Sequence, residues 1–361
     1  MHLSRVGILK TLGLVTPFGD ADSVLRFLKK LQLVNRDLKF SRSNECLMIP
    51  LKRELLETEL SVLANYSASV KILEMNFPES SRKPRNLREA CVERLPSNIL
   101  NRLPRSYDII GDIVLVEIED ELRAFSNVIG NGILRLNPHL RLVVRKAEKT
   151  SGQFRTRNVE IIAGEGDTET VHREFECRFR LDVNSVYFNP RLSYERMRVA
   201  KQVMGGEVVV DMFAGVGPYS ILIAKTQPNV QVFAIDLNPV AYKYLKENAL
   251  INGVAERVSC YFGNIREYSP RLRGIADRVI MNLPSLSSEF VDSAASLLKP
   301  KGGIIHYYTF ARRGESIEKI ASALQSLLMI SDRFVESFTF QRVIKEVSPD
   351  RVQIVLDFIV K

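Results

Sequence analysis

Cysteine and histidine are scarce in this chain of 361 residues, four of each, and neither type clusters. Cys46, Cys91, Cys177 and Cys260 lie far apart, with no Cys-x-x-Cys pair and none of the dense spacing of a disulfide-framed secreted domain. They read as reduced thiols. His2, His139, His172 and His306 are equally dispersed, so local spacing assembles no metal site and none is expected. No apolar run reaches the length of a membrane span, and the N-terminus lacks the apolar core of a signal peptide. Internal repeats and low-complexity tracts are missing too. The expectation is a soluble, cytoplasmic protein, long enough for two or three domains.

What the chain has in excess is positive charge: 51 Lys and Arg against 42 Asp and Glu, a formal net charge of +9. That surplus favours an acidic partner, nucleic acid first, although many soluble proteins simply run basic.

Residues 22–34 place apolar side chains at helical spacing behind Asp22, an N-cap candidate. A strand at 46–51, a helix at 55–66 and a strand at 70–73 complete a small α+β domain, 1–79, within which residues 1–20 carry no assignment. Residues 80–106 turn basic, with Arg82, Lys83, Arg85, Arg88, Arg94, Arg102 and Arg105 among Pro84, Pro96 and Pro104. This is the composition of a linker with a short helix. A middle α+β domain spans 107–204, with strands at 107–118, 140–144 and 159–163 and an alternating strand pair in "VHREFECRFRLDV". It closes on "NPRLSYERMRVAKQVM", where Asn189 can cap and Pro190 suits the first helical turn. From 205 to 361 strand, turn and helix alternate as in a doubly wound parallel sheet, and "ESFTFQRVIKEV" with "RVQIVLDFIV" reads as a closing antiparallel hairpin.

The stretch "VVVDMFAGVGPYS" decides which ligand this sheet takes. A dinucleotide fingerprint needs three glycines against a pyrophosphate, and here only Gly215 and Gly217 are present. Asp211 ends the strand, where its charge would oppose a phosphate. A carboxylate there suits a ligand with an ammonium and a sulfonium, S-adenosylmethionine. Asp236 ends the next strand, placed to accept from two ribose hydroxyls, and Asn264 follows the third. A lone Asp in such a turn is more often a helix cap; polar residues ending three successive strands behind a glycine loop make chance a poor account. Asn282, Leu283 and Pro284 end the fourth strand in a turn whose amide and carbonyls can read the edge of a planar base. Ser285 stands where many nucleobase amino-methyltransferases have an aromatic residue, and a proline turn alone is ordinary. Upstream lie Arg155 and Arg157, then Tyr187, Arg191, Glu195, Arg196 and Arg198. Arg191 and Glu195 share a helix face at i, i+4, as an exposed ion pair would.

In order, "FRTRNVEIIAGE", "YFNPRLSYER", "VVDMFAGVGPYS", "AIDLNP", "MNLP" and "GGIIHYYTF" resemble the archaeal and eukaryotic tRNA (guanine-37-N1)-methyltransferase family. The resemblance is strong from 107 to 361 and weaker before. It implies an α/β fold, a class I S-adenosylmethionine-dependent methyltransferase sheet of Rossmann-like form with a C-terminal antiparallel hairpin, preceded by two smaller α+β domains. It implies methyl transfer to N1 of guanine 37, with Glu195 as general base and Arg155 stabilising O6. Arg196, Asp236, Leu237, Asn264, Ile265 and Asn282 fall at the family's cofactor contacts, beside Asp211, Gly215 and Gly217. Tyr187, Asn282 and Pro284 fall at the target base.

The family often has an aspartate at the position of Asn264, whose carbonyl oxygen can still accept from the adenine amino group, so cofactor binding is expected to survive the change. The first domain is expected to meet the tRNA elbow and the others the anticodon loop, with the target base flipped out of its stack. A monomer is expected. Arg312 and Arg313 are phosphate-contact candidates, against a solvated charge pair. Three alternatives stand beside this: a wyosine-pathway methyltransferase or aminocarboxypropyltransferase on a modified guanine 37, a non-catalytic RNA-binding relative, and a methyltransferase of proteins or small molecules. The intact Arg155 and Glu195 argue against the aminocarboxypropyltransferase, and the unbroken glycine loop and the base against the non-catalytic relative; an enzyme that methylates both guanine and its tricyclic derivative stays open.

Overall fold

The chain divides into two compact units, Met1–Pro84 and Arg85–Lys361. The structure is a computed structural model describing residues 8–43, 45–78, 84–147, 158–329 and 332–361. Arg155 and Arg157, with Arg82 and Lys83, lie outside the described residues.

In the first unit the strand Ile8–Pro17 occupies much of the stretch that carried no assignment, and it pairs antiparallel with both Cys46–Pro50 and Lys71–Pro78. The short strand Ser41–Arg42 completes a four-stranded sheet. Helix Ala21–Lys30 buries Val24 and Leu28 at i, i+4 against Leu14, Ile49 and Leu63. Its N-cap is Asp20 rather than Asp22, which lies in the first turn, where a carboxylate suits the helix dipole.

The second unit opens with helices Leu87–Cys91 and Ser97–Leu100, inside the stretch whose composition reads as a linker. Leu87, Ala90, Cys91, Leu95, Leu100 and Leu103 are buried in one core with Ile129 and Ile133 of helix Ser126–Leu136. Arg85, Arg88, Arg94, Arg102 and Arg105 are exposed while every third or fourth residue is apolar. Hydrophobic spacing, not charge density, decides its fate. A four-stranded sheet follows, made of Asp108–Ile110, Ile113–Val116, Leu142–Lys146 and Val159–Gly164. The alternating stretch forms the hairpin Glu169–Glu174 and Cys177–Asp182.

That hairpin docks on helix Pro239–Ile251 through two asparagines. Asn248 accepts from the Arg180 N–H (2.7 Å) and donates to the Arg180 carbonyl (3.0 Å) and to the Val216 carbonyl of the glycine loop (3.0 Å). Asn252, the helix C-cap, repeats the exchange with Arg178 at 2.9 and 2.7 Å. Side-chain amides here supply what a neighbouring strand would.

The largest sheet has seven strands: Val208–Asp211, Gln231–Asp236, Val258–Phe262, Arg278–Met281, Gly303–Arg312, Val335–Ser348 and Arg351–Val360. Their spatial order is third, second, first, fourth, fifth, seventh, sixth. The first five run parallel, and the seventh pairs antiparallel with both the fifth and the sixth. Val209, Val210, Val279, Ile280 and Ile305 are completely buried, as strands covered on both faces require. The order reverses beside the first strand, and at such a switch point the loops from neighbouring strands diverge and leave a crevice.

Candidate active site

A cleft of about 1510 Å³ lies at the C-terminal ends of the parallel strands. The glycine loop between the strand Val208–Asp211 and the helix Pro218–Thr226 forms part of its floor. Gly215 (φ +57°) and Gly217 (φ +89°) both hold left-handed backbone, which a side chain strains. At Gly217 a Cβ would also sit 2.5 Å from Leu245 Cδ1 and 2.8 Å from Ile221 Cδ1. At Gly215 it would meet nothing nearer than the Tyr187 carbonyl at 3.9 Å, so this turn leaves open space.

Asp236 stands on the cleft wall at the end of its strand. Its carboxylate accepts from the backbone N–H of Gly215 (2.7 Å) and of Asn238 (2.9 Å). Burial pushes its carboxyl up in spite of these two bonds. Each carboxylate oxygen has two acceptor sites, so capacity remains for hydroxyl donors.

Asp211 lies below the floor, 1% exposed, while its neighbours Met212 and Phe213 line the cleft. Ser220 donates to its Oδ2 at 2.7 Å, and among the described residues Oδ1 has no hydrogen-bond partner. Burial pushes this carboxyl up to about 7, partly offset by the Ser220 bond and reinforced by the like charge of Asp236.

Asn264 caps the turn of helix Ile265–Tyr268, its Oδ1 accepting from the Arg266 N–H at 3.0 Å. The Asn282–Ser285 turn is pinned from behind, with the Ser287 hydroxyl 2.8 Å from the Leu283 carbonyl and 2.7 Å from the Tyr308 carbonyl. Phe290 meets Phe213 edge to face (5.1 Å), and the Arg266 guanidinium lies 4.4 Å from the Phe290 ring centre.

Tyr187, Gly215, Asp236, Leu237, Asn264, Ile265, Asn282 and Pro284 all line this one cleft. Gly217 and Asp211 support it from beneath. Two of the expected site residues lie deeper. Arg196 is 2% exposed and its guanidinium is engaged by protein: Nε donates to Glu174 Oε1 (2.8 Å), Nη2 to Glu174 Oε2, and Nη1 to the Asn189 carbonyl (3.1 Å). Arg196, expected at the cofactor, forms in this structure a buried ion pair with Glu174 that fastens the hairpin to the helix Ser193–Gln202.

Glu195 is buried as well, with Arg198 donating to both carboxylate oxygens (2.6 and 2.9 Å) and the Tyr308 hydroxyl donating to Oε1 (2.7 Å). It sits behind the segment of Tyr187, Asn189 and Arg191, which does reach the cleft. The expected Arg191–Glu195 pair does not form. Arg191 falls in the 3-10 turn Pro190–Leu192, ahead of the helix, and its Nε donates to Asp108 Oδ1 at 2.6 Å.

Sequence reasoning missed Phe213, Phe290 and Arg266, and also Asp108, Lys146 and Phe310, on the same walls. Phe213 and Phe310 lie inside the quoted stretches "VVVDMFAGVGPYS" and "GGIIHYYTF", which do not say which way an aromatic ring faces; Asp108, Lys146, Arg266 and Phe290 come from segments far apart in the chain and outside those motifs. Among the described residues no group of His, Cys, Asp and Glu could hold a metal ion, and no helix is long and apolar enough to cross a membrane.

A doubly wound sheet closed by an inserted antiparallel strand, with a glycine loop and carboxylates ending its first two strands, defines a class I methyltransferase. The TRM5/TYW2 methyltransferase domain matches residues 170–330, the TYW2 N-terminal domain residues 87–168, and the tRNA methyltransferase 5 N-terminal domain residues 13–59. The tRNA (guanine(37)-N(1))-methyltransferase Trm5b of Pyrococcus abyssi is 38% identical over 351 residues, 96% of this chain and 98% of that protein. The chain belongs to the Trm5-type tRNA (guanine-37-N1)-methyltransferase family. Among solved structures, aTrm5 in complex with tRNALeu superposes with a TM-score of 0.67 at 31% identity, covering 96% of this chain and 99% of that one. The TYW2 of M. jannaschii in complex with AdoMet superposes at 0.56 with 28% identity, covering 71% of this chain and 99% of that one.

Proposed function

We propose that this chain transfers a methyl group from S-adenosylmethionine to N1 of guanine 37 in the tRNA anticodon loop. The observation that carries this is the convergence on one cleft of two kinds of recognition: a glycine loop with Asp236 for a nucleoside, and the Asn282–Ser285 turn for a planar base.

The residues present fit the cofactor. Asp211 Oδ1 is a buried acceptor with no hydrogen-bond partner among the described residues, in a carboxyl that burial pushes up to about 7, and positive charge on a ligand above the floor relieves that cost. Asp236 would take the ribose hydroxyls, Leu237 and Ile265 the apolar faces, and Asn264 the adenine edge. Bound S-adenosylmethionine supplies an electrophilic methyl group on a sulfonium.

The chain's own residues handle the proton. Guanine N1 loses its hydrogen as its lone pair forms the new bond to carbon, and Glu195 accepts that proton. Negative charge grows on O6, which Arg155 offsets. Asn282 and Pro284 hold the base edge, and Tyr187 flanks it. The first unit and the basic surface bind the tRNA backbone.

The test is methyl transfer from labelled S-adenosylmethionine to a tRNA transcript with G37, beside the same transcript with A37, followed by nucleoside mapping. Label at N1 of G37 alone is expected; label elsewhere, or on neither transcript despite cofactor binding, refutes the assignment. Glu195→Gln is expected to keep cofactor and tRNA binding and to lose single-turnover transfer by about 10²-fold or more.

A further inference from the structure

Behind Glu195 a chain of buried polar groups crosses the sheet. Arg198 is held between two carboxylates: it donates to both oxygens of Glu195 and also to Asp357, from Nη1 to Oδ2 at 2.5 Å and from Nη2 to Oδ1 at 3.3 Å. The Phe340 ring lies 4.0 Å from the Arg198 guanidinium carbon and covers one of its faces. Asp357, on the seventh strand, faces His306 of the fifth across the antiparallel ladder, and both side chains are completely buried. His306 Nδ1 lies 2.7 Å from Asp357 Oδ1, and its Nε2 lies 2.9 Å from Arg278 Nη1. Arg278 is anchored in turn on Glu207 and the Gln202 carbonyl.

The roles along this chain are fixed by chemistry. A guanidinium only donates, so His306 Nε2 must accept from Arg278 and the ring proton must sit on Nδ1, donating to Asp357. Burial holds the imidazole neutral against the pull of Asp357. Burial also raises the Asp357 carboxyl, but the bonds from His306 and Arg198 outweigh it and leave the group ionised. An ionised Asp357 then claims half of Arg198. The guanidinium cannot follow Glu195 elsewhere, nor can it collapse wholly onto it.

We infer that His306 and Asp357 are positioning residues for methyl transfer: through Arg198 they fix where the Glu195 carboxylate stands and keep the guanidinium shared. This rests on Glu195 being the base. It adds two residues more than a hundred positions from Glu195 in sequence, neither of which lines the cleft. A group displaced by about 1 Å from its reacting partner can cost about 10²-fold in rate.

Single-turnover transfer to the G37 transcript is measured for Asp357→Asn, His306→Leu, His306→Asn and Glu195→Gln, with cofactor and tRNA affinities and melting curves for each. Asp357→Asn and His306→Leu are expected to lose rate by about 10²-fold with both affinities unchanged. His306→Asn, whose amide can donate from near the Nδ1 position, is expected to recover part of it. Folded relay variants at the wild-type rate, beside an inactive Glu195→Gln, overturn the positioning role alone. Full transfer by Glu195→Gln overturns the base assignment and the relay with it. Nitrogen NMR of the four-histidine wild-type protein needs no variant to fold. A proton on His306 Nδ1 is expected, and a proton on Nε2 would overturn the relay.

Discussion

At the scale of single residues, burial separates side chains that the motif treats alike. Asp211 and Asp236 both end strands behind the glycine loop, yet only Asp236 reaches the cleft wall. Asp211 has a carboxyl raised to about 7, so in the folded protein it keeps its proton over a range where the unfolded chain has lost it. The sign follows: stability falls as pH rises from about 4 through 7, and the penalty is complete above that window. Its full size is on the order of 4 kcal/mol. Melting curves should show Asp211→Asn equal to wild type near pH 4 and more stable near pH 8, with the gap opening between. A pH-independent difference would count against this account. Arg196 offers a second case. Arg196→Met takes both guanidinium bonds from the buried Glu174 and leaves His172 Nε2, 4.0 Å away, as its ion-pair contact among the described residues, a loss of about 3–5 kcal/mol. Adding Glu174→Gln should restore part of that, while cofactor affinity in folded protein stays near wild type; a selective loss of cofactor affinity would instead return Arg196 to the site. Neither Arg196 nor Glu195 announces its depth in the sequence, because their partners Glu174 and Tyr308 are set by packing between distant segments.

Elements were legible where period and punctuation agreed. The alternating hairpin, the glycine loop and the strand–helix rhythm after 205 all appear in the structure at the expected places. Two stretches hid their structure. In residues 85–106 arginines and prolines punctuate the sequence while apolar residues at helical spacing make the contacts. In Ile8–Pro17 the strand is visible only through its two neighbours, since a central antiparallel strand with one half-exposed face needs no long apolar run. The glycine loop is the element whose geometry tolerates least. Gly217→Ala must strain a φ of +89° and push against Leu245 and Ile221, so a destabilisation of about 1–3 kcal/mol is expected. Denaturant unfolding measures it, and a loss below the error of the method would show that the helix Pro218–Thr226 can shift to make room.

For the whole molecule, charge and partition matter more than any one contact. With a net charge of +9 and a tRNA ligand, the observed association constant should fall steeply with salt, its logarithm linear in the logarithm of salt concentration. A binding curve indifferent to salt would remove backbone phosphate contacts as the source of affinity. Each of the two units has its own buried core, so a chain beginning at Arg85 is expected to fold and bind S-adenosylmethionine while losing affinity for whole tRNA. Unchanged tRNA affinity in that truncation would deny the first unit its part in recognition.

The paired amides of Asn248 and Asn252 also close a strand edge. They occupy the outward N–H and carbonyl groups of Arg178 and Arg180, the row through which the strand Cys177–Asp182 could otherwise recruit a strand from a second molecule. Two side chains thereby turn an open strand margin into a closed one, and neither of them lines the cleft.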